Sequence, residues 1–68
     1  MSDDFREIAN YELPYSRKAE LREVSFDGGM KMLRLILREG RRITQVDLDA
    51  DTAMALSDAM GDWAKVNN

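Results

Sequence analysis

The sequence predicts an α+β fold: a three-stranded antiparallel β-meander followed by one C-terminal amphipathic helix packed on one face. Three observations carry this. Apolar residues alternate with period two from about residue 20 to 48, two glycine-bearing turns interrupt that alternation, and after Leu48 the apolar spacing changes to threes and fours.

The strands are expected over residues 20–26, 30–38 and 42–48. Gly28-Gly29 supplies the positive φ angles that a two-residue hairpin loop demands, and Glu39-Gly40 marks the second turn. Asp49 is placed to cap a helix beginning at Ala50, with Asp51 near the positive end of its dipole. Rotating the helix by 100° per residue gathers Thr52, Ala53, Leu56, Ala59, Met60, Trp63, Ala64 and Val66 on one side. Asp51, Asp58, Asp62 and Lys65 gather on the other. Met54 points away from the stripe and is a candidate contact, and Gly61 costs about 1 kcal/mol relative to Ala. Residues 1–18 read as an N-terminal extended arm able to add a fourth strand, and residues 19–68 as the βββα domain. Within the arm, Leu13-Pro14-Tyr15 is extended because the residue before proline is pushed out of the α region.

The turns fix a register, and the register sorts the side chains. One sheet face is expected to carry Val24, Phe26, Leu33, Leu35, Leu37, Thr44, Val46 and Leu48, with Leu56 and Trp63 of the helix plugged into it. The opposite face is expected to carry Leu21, Ile36 and Ile43 in one row, which is more apolar surface than a solvated face needs. The arm, a second copy of the chain or a ligand could cover that row, which makes Leu21, Ile36 and Ile43 the candidate self-association residues.

A chain of 68 residues is one domain, and at this size about 60% of the unfolded surface is buried on folding, so stability is marginal. With no Cys and no His, neither a disulfide nor the usual zinc ligands can supplement the core, which leaves oligomerisation. No apolar run reaches the ~20 residues of a membrane span and no secretory signal follows Met1, so a cytoplasmic protein with no membrane contact is expected. The net charge of −3 conceals a partition: −3 over residues 1–16, +4 over 17–42 and −4 over 43–68.

Catalysis is not expected. Without His or Cys there is no usual base or thiolate, and Ser2, Ser16, Ser25 and Ser57 lack an activating partner. Asp47-Leu48-Asp49-Ala50-Asp51 imitates the opening of a calcium loop, but Thr52 and Asp58 stand where that loop needs Gly and a bidentate Glu. No metal and no cofactor are expected. The basic group is the one feature with binding chemistry: Arg34, Arg38 and Arg41 are expected on the outer sheet face with Arg42 beside them at the loop. These four are the candidate contact for an anion or nucleic acid. Against this stand the lack of aromatics on that face, a pI of about 4.8, and Glu23 and Glu39 close enough to neutralise the arginines.

The strand running through Ile43-Thr44-Gln45-Val46-Asp47-Leu48-Asp49 into a helix carrying Leu56 and Trp63 resembles the single-stranded-DNA-binding domain of the positive-cofactor-four transcriptional coactivators, over about residues 19–66. The resemblance is one of pattern and implies a homodimer with a nucleic-acid-binding sheet, but that family's lysine- and aromatic-rich strand surfaces are absent here. The wording of Gly29-Met30, Leu33-Arg34-Leu35, Arg38-Glu39-Gly40-Arg41-Arg42-Ile43-Thr44 and Val46-Asp47-Leu48-Asp49 is similar to a family of short, uncharacterised bacterial proteins, which carries no activity over. The sequence thus points to a small non-enzymatic interaction module, expected as a homodimer or bound to another protein. The alternative is a weak single-stranded nucleic-acid binder using its arginines.

Overall fold

A computed structural model describes residues 4–68; of the arm expected over residues 1–18, Met1, Ser2 and Asp3 lie outside the described residues. The element order is β1 (Asp4–Leu13), β2 (Arg17–Ser25), β3 (Lys31–Glu39), β4 (Arg42–Leu48) and α1 (Ala50–Val66). The strands form one antiparallel sheet in the order β1-β2-β3-β4, so the N-terminal segment is a fourth strand rather than a cover. Each strand lies beside its neighbour in sequence, as short connections allow. The β1–β2 connection, Pro14–Ser16, sets Tyr15 and Ser16 at φ of 65° and 61°, a left-handed pair that reverses the chain over three residues.

The β2–β3 register differs from the expectation by one residue. Ser25 pairs with Lys31, the Phe26 amide donates to the Met30 carbonyl at 2.8 Å, and the Gly29 amide donates to the Phe26 carbonyl at 3.1 Å. Asp27 therefore joins Gly28 and Gly29 in the loop, and a slip of one residue carries every β2 side chain to the other face. Leu21 and Ala19 stand opposite Leu35 and Leu37, on the helix side, whereas Val24 stands opposite Met32 on the outer side. The second turn is Gly40-Arg41, with Glu39 opposite Arg42; this moves the β3–β4 pairing by one residue on each strand and leaves its faces as expected.

Helix α1 begins where expected. Asp49 accepts a 2.8 Å hydrogen bond from the Thr52 amide, Asp51 lies in the first turn and Lys65 in the last. Its apolar stripe does not close onto the sheet. No helix residue is buried, and the groove beneath it, lined by Leu21, Leu33, Leu35, Leu48, Ala53, Leu56, Ser57 and Met60, stays open at about 290 Å³. Leu56 lines that groove, but Trp63, expected as a second plug, is 69% exposed.

Among the described residues the buried apolar side chains are Ala19, Val24 and Ile36. Val24 and Ile36 lie on the face away from the helix, flanked there by Phe5, Met32, Arg22, Arg34 and Arg38, long side chains whose stems can cover a small neighbour. The result is a thin, open molecule of 43 × 30 × 15 Å. Its radius of gyration is 13.7 Å, against about 11 Å for a compact chain of this length. No helix among the described residues is long and apolar enough to cross a membrane.

Candidate functional site

The two sheet faces have different chemistry, and strand alternation dictates it. On the outer face, β2 contributes Lys18, Glu20, Arg22 and Val24, β3 contributes Met32, Arg34, Ile36 and Arg38, and β4 contributes Ile43, Gln45 and Asp47. Glu20 sits between two guanidiniums, accepting from Arg22 at 2.9 Å and from Arg38 at 2.8 Å. Arg34 grips Asp47 with two parallel bonds of 2.8 and 3.1 Å, the fork geometry that suits a carboxylate. The Arg38 hydrogen bond, joined by the charges of Arg38 and Arg22, holds the Glu20 carboxyl below its usual range despite partial desolvation. The Arg34 hydrogen bond does the same for Asp47, and the Thr52 hydroxyl together with the Thr52 amide for Asp49. The Arg22 guanidinium also lies 5.2 Å from the Phe5 ring.

These pairs decide the fate of the expected arginine cluster. Arg34 and Arg38 share the outer face, each already engaged by a carboxylate; Arg41 occupies the tip of a turn; Arg42, opposite Glu39, lies on the helix side. The four are not brought into one patch. Glu23 is not opposite Arg34 as expected, but meets Arg6 at 3.4 Å on the helix side. The expected row of Leu21, Ile36 and Ile43 is also dissolved: Leu21 faces the helix, Ile36 is buried on the outer face opposite Glu20 and Gln45, and Ile43 is exposed opposite Arg38. Two turns are the cause: the Asp27-Gly28-Gly29 loop carried Leu21 to the other face, and the Gly40-Arg41 turn moved Ile43 off Ile36 along the strand.

The apolar surface left open is on the helix side. The half-buried Leu21, Leu33, Leu35 and Leu37 form its floor beneath α1. Beside them, over β1, lie Ala9, Tyr11 and Leu13, because Ala9 pairs with Leu21 and Tyr11 with the buried Ala19. A register shift between Glu7 and Ala9 brings Ile8 to the same side, where it lines a recess with Glu23, Leu33, Leu48 and Ala50. Above, the far half of α1 presents Ala59, Met60, Trp63 and Ala64 around a shallow recess that no sheet residue lines. Met54, on the other side of the helix, is exposed as well. The sequence allowed the arm to add a strand but did not assign Ala9, Tyr11 and Leu13 to this face, although their alternation up to the proline is itself a strand signal.

Residues 2–66 match a family of unknown function, DUF6967. The chain belongs to that family. The match spans nearly the whole chain, both faces and the helix included, and it names no activity. No curated protein and no solved structure matches the chain, and the pattern shared with the positive-cofactor-four domain gains no support.

Proposed function

We propose that the chain is a non-enzymatic interaction module that works through its helix-side face and self-associates there. One quantity carries the reading. The accessible surface is 5697 Å², whereas a folded monomer of this mass is expected to expose about 4400 Å², an excess of about 1300 Å². The excess matches a sheet floor and a helix stripe that are both apolar and both open. The lack of His and Cys supports the non-enzymatic part, because the usual general base and thiolate are missing from the whole sequence.

Sedimentation equilibrium from micromolar to millimolar protein tests the proposal, at low and high salt. An apolar contact gives a concentration-dependent rise in mass that salt weakens little, since screening acts on charges. A constant monomer mass across the range, unchanged by Met60→Asp, overturns it.

A further inference from the structure

Face width and helix width do not match in this molecule. Four strands at about 4.8 Å spacing make a sheet roughly 19 Å across, while one helix with its side chains is about 10 Å wide. One helix can therefore cover about half of the face, and the chain supplies one. Its groove is walled by β2, β3, β4 and the helix itself, with no residue of β1. The strip over β1, with Ala9, Tyr11 and Leu13 standing beside the buried Ala19, is left for another element. The far half of α1, meanwhile, has an apolar recess with no sheet beneath it. A helix half without a floor and a floor strip without a helix are complementary, and both occur in the same chain.

Resting on the self-association proposed above, we infer that the far half of α1 lies on the β1–β2 strip of a second copy, in a reciprocal exchange. Trp63, Met60 and Ala64 of each protomer seat against Tyr11, Ala9 and Leu13 of the other. The acidic side of the helix, with Asp58 and Asp62, stays toward solvent; Arg6 and Arg17 at the rim of the strip are already paired with Glu23 and Glu39, so the contact rests on the apolar side chains. The excess of about 1300 Å² per protomer sets a ceiling of about 2600 Å² on what the pair can bury, which leaves room for a homodimer interface. A contact in which the same two patches are used by both partners is isologous and closes at two copies.

The natural absence of cysteine permits a direct test. Ala9→Cys and Ala64→Cys are prepared separately, one with a mass tag, then mixed and oxidised mildly. Ala9 and Ala64 are small and not buried, so neither change disturbs folding. The exchange gives a disulfide-linked mixed dimer for this pair and none for Asn10→Cys mixed with Ala64→Cys, because Asn10 lies on the opposite face. A second pair, Leu13→Cys with Met60→Cys, guards against a poorly aligned first one. If the wild-type chain sediments as a dimer and neither pair links, the helix exchange is wrong and self-association stands. If the wild-type chain is monomeric throughout, both are wrong.

Discussion

Trp63→Ala isolates the contribution of the largest side chain on the apolar stripe. Trp63 is the single tryptophan and exposes 69% of its surface in one protomer, which for a side chain able to bury up to about 250 Å² is about 170 Å². Covering half of that area at about 25 cal/mol per Å² yields about 2 kcal/mol per protomer and about 4 kcal/mol per dimer. A loss of that size raises the dimer dissociation constant about a thousandfold. Alanine is the best helix former, so the helix itself is preserved and the change is read in association alone. Sedimentation velocity gives the constant, and indole emission gives an independent signal: in the wild type it moves to the blue as concentration rises and the ring leaves water. Emission that does not move with concentration, together with identical sedimentation of wild type and Trp63→Ala, refutes the reasoning.

Three further outcomes follow from the geometry. Ile36→Ala, at a buried position, is expected to lower stability by about 2 to 3 kcal/mol, while Ile43→Ala, at an exposed one, stays within about 0.5 kcal/mol; urea denaturation separates them. Gly61→Ala is expected to raise the melting temperature through a gain of about 1 kcal/mol, because the added methyl meets open space in the helix; Gly40→Ala, at φ +61°, is expected to lower it, and thermal circular dichroism compares the two. Glu20, Asp47 and Asp49 hold their protons less tightly when folded than when unfolded, so their contribution is complete above the ordinary carboxylate range and is lost as pH falls through the lowered values. Urea midpoints measured from pH 7 to 2 should therefore drop on the acid side, and a Glu20→Gln, Asp47→Asn variant should show a shallower drop.

Most of the architecture was legible in the sequence, because strand alternation, two glycine turns and the Asp49 cap are local signals. The faces of β3, β4 and α1 followed from them. The face of β2 did not. Gly28 and Gly29 take positive φ in the structure, as a two-residue hairpin loop also requires, so nothing in their chemistry announces that Asp27 belongs to the loop as well. That single residue put Leu21 in place of Val24 on the helix side and took Leu21 out of the expected row, while the Gly40-Arg41 turn separated Ile36 from Ile43. The arginine cluster failed for a related reason: Arg34 and Arg38 are four apart and share a face, but Arg41 and Arg42 fall in and after a tight turn, where alternation restarts. The open surface over β1 was the least legible part, since Leu13-Pro14-Tyr15 signals extension but does not say to which strand the segment pairs.

The β1-β2-β3-β4 order has a kinetic side. Each strand finds its partner across a connection of three, five or two residues, so loop closure is cheap at every step and no strand waits for a distant segment of chain. Hairpins of this kind form in roughly 1–10 μs, and low sequence separation between contacts is the property that correlates with fast folding. Only the helix stripe has no native partner of its own to complete its burial. The sheet is therefore expected to assemble quickly and independently of concentration, and on the self-association proposed above the encounter between two chains is the slow, second-order event. Refolding from urea should show two phases, of which only the later one accelerates as protein is added.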